Sequence, residues 1–452
     1  MFFAGWMVQS VMGCGSEPRL DIAGVVLVSI DTLRADRLGA YGSTRGLTPN
    51  LDHFASQSVI FDLTFAQSNE TLYSHASLFT SRYPSELDRL GAGFRMPSTV
   101  PTLASVFHDA GWTTGAFVAG GHLSAAFGLG TGFTTYDDRE DWGSLRDTGA
   151  HALRWLDGRP KDAPFFAFIH GYDTHDRYLK PPPFGYLVAE AAYHGAGADL
   201  ARRPGATSRI VSNAYTDNVD ALDLLSRIHP RFRAGREIAT LEPNLLAVTP
   251  ADAAQLAGVY DGSVAWADAS FGLLMSGLEA RGLLDRVVIV VISDHGEELG
   301  EAGAFHHRFA LSDATLRVPL LVRQPAGRLG GRRVGGLVEL IDVAPTLWEL
   351  AGVHPQNESA GVSLVPVLDG RAAADRSSAF SEGALRLLSV RSPTARLVSE
   401  GLSVDNPFAA GLLAVAPVDG TSLSLVGPQS EADPLRAALV ERLVARERNV
   451  AP

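Results

Sequence analysis

Two short runs of this chain leave little freedom in how it folds. Gly24-Val25-Val26-Leu27-Val28-Ser29-Ile30 and Val287-Val288-Ile289-Val290-Val291-Ile292 are almost continuously apolar and rich in β-branched residues. A strand with one wet face alternates apolar and polar side chains. These runs do not, so they predict central strands of a mostly parallel sheet covered by helices on both faces. Phe165-Phe166-Ala167-Phe168-Ile169 and Pro319-Leu320-Leu321-Val322-Arg323 extend the pattern. The first run ends at Asp31, the second at Ser293-Asp294-His295 and the third at His170. In open α/β sheets ligands bind beyond the carboxyl ends of the strands, so these polar residues are expected to meet in one crevice. The chain has 452 residues, 46% hydrophobic and 19% charged, which is enough apolar material for such a core.

Helices fill the intervals. Val264, Trp266, Ala267, Phe271, Leu274 and Leu278 recur at helical spacing and predict a helix over 264–281, stopped by Gly282. Further helices are expected over 51–58 and 340–352, the latter ending at Gly352. Pro181-Pro182-Pro183 marks a rigid turn. The stretch 185–252 is rich in Ala and Arg, with helical segments and no clear strand, and reads as a helical insertion near the mouth of the site. After residue 370 short apolar segments alternate with Gly, Ser and Pro. The expected plan is a main domain over 21–370 and a smaller antiparallel C-terminal subdomain over 371–452.

A net charge of −12 without a Lys/Arg cluster argues against nucleic acid as a partner. The single cysteine, Cys14, excludes an intrachain disulfide. It closes an apolar start, MFFAGWMVQSVMGCGS, that is too short to span a bilayer. Val11-Met12-Gly13-Cys14 resembles a bacterial lipobox, which implies a signal over 1–20, membrane anchoring through Cys14 and a place in the periplasm or cell envelope. No Lys or Arg precedes Cys14, a departure from signal-peptide anatomy that a start codon assigned too late would explain. The alternative is a frayed apolar terminus carrying a buried or free thiol.

Asp31, Asp294 and His295 offer oxygen and nitrogen donors suited to one divalent cation, Ca²⁺, Mg²⁺, Mn²⁺ or Zn²⁺. Singly, an Asp after a strand reads more readily as a helix cap or turn residue. The segment SNETLYSHASLFTS carries five Ser/Thr hydroxyls from Thr71 to Ser81. A cation lowers the pKa of a hydroxyl beside it and makes a nucleophile available. In His170-Gly171-Tyr172-Asp173-Thr174-His175-Asp176, His175 is a candidate to hold ester oxygens or protonate a leaving group, as is Lys180 beyond it. Phe305-His306-His307-Arg308 adds two adjacent imidazoles, one of them expected to be a surface bystander.

Five segments in order carry a resemblance. VVLVSIDTLRADRLGAYG with LTPNLDHFASQSVIF is similar to the opening of the sulfatase-like hydrolases of the alkaline phosphatase superfamily. TLYSHASLFTSRYP looks like their nucleophile segment, and YDGSVAWADASFGLLMSGLEARGLLDRVVIVVISDHGEELGEAG like their second metal-binding strand and its helix. HRFALSDATLRVPLLVRQPAG and LIDVAPTLWELAG match segments that follow. The resemblance implies an α/β fold: a large mixed, mostly parallel sheet sandwiched by helices, with a smaller C-terminal antiparallel sheet. It implies Asp31, Asp294 and His295 as metal ligands and Thr71 as a nucleophile that also touches the metal. His175 and His307 match histidines that contact the ester or the leaving group, and His306 matches no role.

The chain departs from that family in three places. Sulfatases carry C/S-x-P-S/A-R, whose first residue becomes formylglycine, where this chain has Thr71-Leu72-Tyr73-Ser74-His75. Many have a second aspartate where Thr32 stands, and a tyrosine where Ser312 stands. The resemblance therefore implies a metal-dependent hydrolase acting on sulfate or, by preference, phosphate or phosphonate esters through threonine. Substrates would be small-molecule, glycan or lipid esters. The alternatives are a phosphoryl-group transferase on an envelope lipid or glycan, and an inactive binding protein of the same fold.

Overall fold

The computed structural model describes residues 22–87, 94–176, 178, 180–189, 249–300, 305–307, 311–356, 358–383, 387–393, 395–400, 414–417, 424–425 and 437–438. Cys14 with the expected signal, and most of the expected insertion, lie outside the described residues.

The chain runs through β1 (Gly24–Ile30), α1 (Pro49–Ser56), β2 (Val59–Phe65), α2 (Thr71–Thr80), α3 (Leu103–Asp109), β3 (Thr113–Phe117), β4 (Thr135–Asp137), α4 (Leu145–Gly158) and β5 (Phe165–Gly171). It continues with α5 (Pro250–Glu279), β6 (Val287–Ile292), β7 (Glu298–Leu299), β8 (Phe305–His306), β9 (Arg317–Val318), β10 (Leu320–Arg323), β11 (Arg333–Glu339) and α6 (Val343–Ala351). Last come β12 (Ala379–Glu382), β13 (Leu387–Arg391), β14 (Ala395–Glu400), β15 (Ala414–Pro417) and β16 (Ser424–Leu425).

The main sheet has the order β11-β2-β10-β6-β1-β5-β3-β4, with β9 alongside β2. β1 lies at its centre, parallel to β5 and β6. β10 runs antiparallel to both β6 and β2, which makes the sheet mixed. The continuous apolar runs are explained by what covers them. On one face Val25 and Leu27 pack with Phe79, Phe107 and Leu347; on the other Val26 and Val28 pack with Leu51, Phe271 and Leu274. Every residue of β1 and β6 is buried. β12 to β16 form a separate, wholly antiparallel sheet.

One helix is longer than its apolar spacing predicts. α5 begins at Pro250, so residues 250–252 belong to it and not to the insertion. The Thr249 hydroxyl accepts the Asp252 amide at 3.2 Å and the Asp252 carboxylate accepts the Thr249 amide at 2.9 Å, closing a capping box. Its first half is buried nearly all round and carries Gly258 and Gly262, so it lacks the polar face by which a sequence reveals a helix. A Cβ on Gly262 would lie 2.1 Å from the Phe184 carbonyl oxygen. The helix expected over 340–352 opens with a 3₁₀ turn, Leu340–Asp342, and stops where Gly352 turns left-handed at φ 66°. Among the described residues no helix is long and apolar enough to cross a membrane.

Candidate active site

The ends of β1, β5 and β6 lie side by side, because the register sets Ser29 beside His170 and Ile292. The first residues past them are held by backbone bonds. The Asp31 amide donates to the Gly171 carbonyl at 3.0 Å, and the Thr32 amide to Asp294 Oδ1 at 3.2 Å. Thr32 reaches this position with φ at 58°, a left-handed conformation that is strained for a β-branched residue. Tyr260 of α5 donates to the Thr32 carbonyl at 2.7 Å, and the Leu33 amide donates to Ser293 Oγ at 2.8 Å. Thr32 thus contributes its backbone amide to the carboxylate of Asp294.

Thr71 opens α2 and is buried against this edge. Its Oγ1 donates to Asp31 Oδ2 at 3.2 Å and lies 3.3 Å from His295 Nε2. His295 Nδ1 donates to the Gly296 carbonyl at 3.0 Å, which turns Nε2 towards Thr71. One turn further along α2, His75 Nδ1 donates to the Thr71 carbonyl at 2.8 Å and stands 3.6 Å from Asp294 Oδ2. Ser29 Oγ meets His75 Nε2 at 3.0 Å, and Ser74 Oγ donates to the Asp294 carbonyl at 2.7 Å. His170 Nε2 lies 3.3 Å from Asp31 Oδ2.

The donor set Asp31, Asp294 and His295 is therefore assembled, with one ligand atom from each within 4.8 Å of the others. Asp31 Oδ1 and Asp294 Oδ2 are buried and have no hydrogen-bond partner. A buried carboxylate oxygen without a donor is costly, and a cation between the two would satisfy both, so the residues fit a divalent ion. The charges fit as well. Burial, then the neighbouring Asp294, raises the Asp31 carboxyl well above its ordinary range. Burial also works against Asp294, but His295, His75 and His170 outweigh it and hold that carboxyl below its ordinary value. Burial lowers both His75 and His170, against the pull of Asp294.

A second cluster adjoins the first. His175, His306 and His307 are all buried and bring one ligand nitrogen each within 4.8 Å of one another. The bystander expected among the two adjacent histidines does not exist: the His306 and His307 rings stack at 3.8 Å. His307 Nδ1 lies 3.0 Å from Glu297 Oε1, and its ring is 4.2 Å from that of His295. Burial, then the charge of His295, pushes His175 down to about 3. At the rim Trp142 is 37% exposed, with its ring 5.1 Å from His175 and 4.7 Å from Tyr172. Trp142 also has a left-handed backbone, φ 56°.

The charge of Lys180 bears on Asp173, a buried carboxylate that accepts the Leu145 amide at 2.6 Å and fixes the start of α4. A Cβ on Gly171 would lie 2.3 Å from both partners of that bond, so the chain there must be glycine. Ser312 caps a single helical turn, Asp313–Leu316, and bonds Glu298. Sequence reasoning gave no role to His75, His170, Glu297 or His306. The Thr71-x-x-x-His75 spacing, one helical turn, was the signal that bore on the first of these.

A mixed sheet that gathers carboxylates, imidazoles and a buried hydroxyl at one edge is the plan of the alkaline phosphatase superfamily. Residues 24–353 match the family Sulfatase, and the chain belongs to that family of ester hydrolases. It is 23% identical over 403 residues to an N-acetylglucosamine-6-O-sulfatase of Bacteroides thetaiotaomicron, a match covering 78% of this chain and 72% of that protein. The fold is similar to that of a phosphonate monoester hydrolase of Agrobacterium radiobacter, with a TM-score of 0.72, 20% identity and coverage of 94% and 95% of the two chains. It is equally similar, at TM-score 0.72 and 20% identity, to a protein solved in complex with D-glucosamine-2-N,6-O-disulfate, covering 96% of this chain and 98% of that one.

Proposed function

We propose that this chain is a metal-dependent hydrolase that cleaves phosphate or phosphonate esters in preference to sulfate esters, with Thr71 as nucleophile. The observation that carries this reading is Thr71 Oγ1, 3.2 Å from Asp31 Oδ2 and 3.3 Å from His295 Nε2, inside a buried donor set. Asp31, Asp294 and His295, with Thr71 beside them, would hold one divalent ion, Ca²⁺, Mg²⁺, Mn²⁺ or Zn²⁺. Such an ion lowers the pKa of an adjacent hydroxyl and offsets negative charge on the ester's non-bridging oxygens. Thr71 releases its proton to solvent, its Oγ1 bonds to phosphorus, and the bond from phosphorus to the leaving oxygen breaks. The leaving oxygen takes up a proton at the His175 and His307 cluster. His175 is neutral before the ester arrives, and the charge of a bound ester raises its proton affinity. Water then adds to phosphorus, giving one proton back to the imidazole. The Thr71 Oγ1–phosphorus bond breaks, the hydroxyl is restored by a proton from solvent, and phosphate departs.

The preference for phosphorus follows from the residue at position 71. Hydrated formylglycine has two hydroxyls on one carbon, so the second can collapse to an aldehyde and expel sulfate. Threonine has one hydroxyl, and a sulfated threonine would have to be released by direct attack of water. Phosphorus accepts that attack more readily. Trp142 at the rim supports an ester whose leaving group carries a flat ring or a sugar, against which an indole packs. The lipobox-like Val11-Met12-Gly13-Cys14 supports action in the periplasm or envelope, anchored through Cys14. The direct test is to quench the metal-loaded protein during turnover of an aryl phosphate and map the adduct by mass spectrometry. A phosphorylated Thr71 is expected; an adduct on another residue, or none during a confirmed burst of phenol, would remove Thr71 from its role.

A further inference from the structure

We infer that Asn69 is a positioning residue that ties the nucleophile's segment to His307, so that attack by Thr71 and protonation of the leaving oxygen share one brace. The inference rests on the reading of Thr71 as nucleophile and of the His175 and His307 cluster as the source of the leaving-group proton, and it adds a residue that acts through both.

The segment ahead of Thr71 is polar and yet wholly buried: Gln67, Ser68 and Asn69 are each 0% exposed. Polar side chains in a row inside a protein must find partners, and here the partners are backbone groups. Gln67 Nε2 donates to the Phe65 carbonyl at 3.3 Å, and its Oε1 accepts the Ile341 amide at 3.1 Å. Ser68 Oγ accepts the Glu70 amide at 3.3 Å. The small sheet holds the main chain, with the Glu382 amide donating to the Gln67 carbonyl at 2.8 Å and Ser381 Oγ to the Ala66 carbonyl at 2.6 Å. These bonds fix residues 66–68 independently of Asn69.

Asn69 reaches the other way. Its Nδ2 donates to the carbonyl of His307, 238 residues further along the chain. His307 is thereby held at its main chain as well as at its ring, where Nδ1 lies 3.0 Å from Glu297 Oε1. The main-chain tie has something to fix. β7 and β8 pair through two residues each, Glu298 with His306 and Leu299 with Phe305, and so short a hairpin is marginal without outside support. His306 then takes φ 74°, so strand geometry no longer sets the place of the residue after it.

The exit of β12 packs onto the same side chain. A Cβ on Gly383 would lie 3.1 Å from Asn69 Oδ1 and 3.0 Å from Leu311 Cδ2, so the small sheet closes up to Asn69 with no room to spare. Asn69 therefore stands between three parts of the fold: the turn into α2, the loop of His307 and the small sheet. Misplacing a reacting group by about 1 Å can lower a rate by about 100-fold. Loosening His307 has a particular signature. An alkyl leaving oxygen needs its proton in the transition state, whereas a nitrophenolate leaves as a stable anion and depends far less on it.

The experiment compares kcat/KM of the whole, metal-loaded protein on 4-nitrophenyl phosphate and on an alkyl phosphate. Asn69→Leu keeps the shape of the side chain and removes the donor. It is expected to lower kcat/KM for the alkyl ester roughly 10- to 100-fold and for the nitrophenyl ester by less than about 3-fold. Gly383→Ala leaves Asn69 in place but crowds it, and should move the ratio of the two esters in the same direction by less. Backbone hydrogen exchange over 305–307 should quicken in Asn69→Leu, a readout that needs no turnover. An equal change on both esters, or unchanged exchange over 305–307, would overturn the tie and leave the hydrolase standing. Parent protein that cleaves neither ester would overturn the hydrolase reading, and exchange alone would then decide the tie.

Discussion

At the scale of single residues, the site depends on a few side chains held where their chemistry is useful. His75 stands where the family's arginine would be. Its bonds to the Thr71 carbonyl and Ser29 Oγ hold the first turn of α2 against β1. Trp142 is the residue whose removal should report on the substrate. Trp142→Ala is expected to raise KM for esters with aryl or sugar leaving groups by roughly 2- to 10-fold, the scale of one aromatic packing contact, with little change for a methyl ester. Steady-state kinetics on such a matched pair decides it, and an equal effect on both esters would count against the role. Asp31, Asp294 and His295 were legible in the sequence because each follows a continuous apolar run, and such runs end at the carboxyl edge of a sheet. Thr71 was legible only through the family resemblance, since five hydroxyls share its segment. His306 was not legible at all. Its place in the cluster depends on one backbone torsion, and residue order gives no hint of it.

At the scale of elements, α5 organises the site from behind. Tyr260 holds the Thr32 carbonyl, Asp268 accepts the Leu51 amide at 2.7 Å and fixes the start of α1, and Asp261 pairs with Arg37 at 3.2 Å. The connection from β1 to α1 is thus held at three points by one helix. The contact of α5 with the turn at Phe184 demands a hydrogen at position 262. Gly262→Ala would force a methyl against the Phe184 carbonyl and is expected to cost about 1–3 kcal/mol, read as a lower denaturant midpoint at unchanged slope. A variant as stable as the parent would show that the helix shifts freely. Helical periodicity found only the second half of α5, because the first half is buried on nearly every side. β2, β3, β4 and β11 also escaped the sequence reading. β2 interrupts its apolar residues with Asp62, and β3 and β4 are short and carry Thr, Gly or Asp among few apolar residues.

At the scale of the whole molecule, the small antiparallel sheet is tied to the large one through β12. Glu339, at the end of β11, accepts the Phe380 amide at 2.7 Å and the Tyr83 hydroxyl at 2.9 Å and pairs with Arg376 at 2.7 Å. Ser381 Oγ donates to the Ala66 carbonyl at 2.6 Å, a few residues before Thr71. Burial raises Glu339 to about 7 against the pull of Arg376, above its ordinary 4.5. The folded chain then binds this proton more tightly than the unfolded chain. Its contribution to stability is complete below pH 4.5 and is lost as pH rises through about 7. The slope is at most about 1.4 kcal/mol per pH unit for one proton. Glu339→Gln should flatten the melting temperature across that window, and an unchanged slope would assign the dependence elsewhere. The mixed sheet and the antiparallel C-terminal sheet were both anticipated, because layer architecture follows from which runs are apolar on both faces. The central claim concerns what this architecture acts on. Matched aryl phosphate and aryl sulfate esters, turned over by the metal-loaded protein and by Thr71→Ala, test it most directly. The account predicts faster phosphate turnover, and a fall of at least about 1,000-fold in the alanine variant, the scale of losing a nucleophile. Faster sulfate turnover that persists in Thr71→Ala would contradict both the nucleophile and the substrate class.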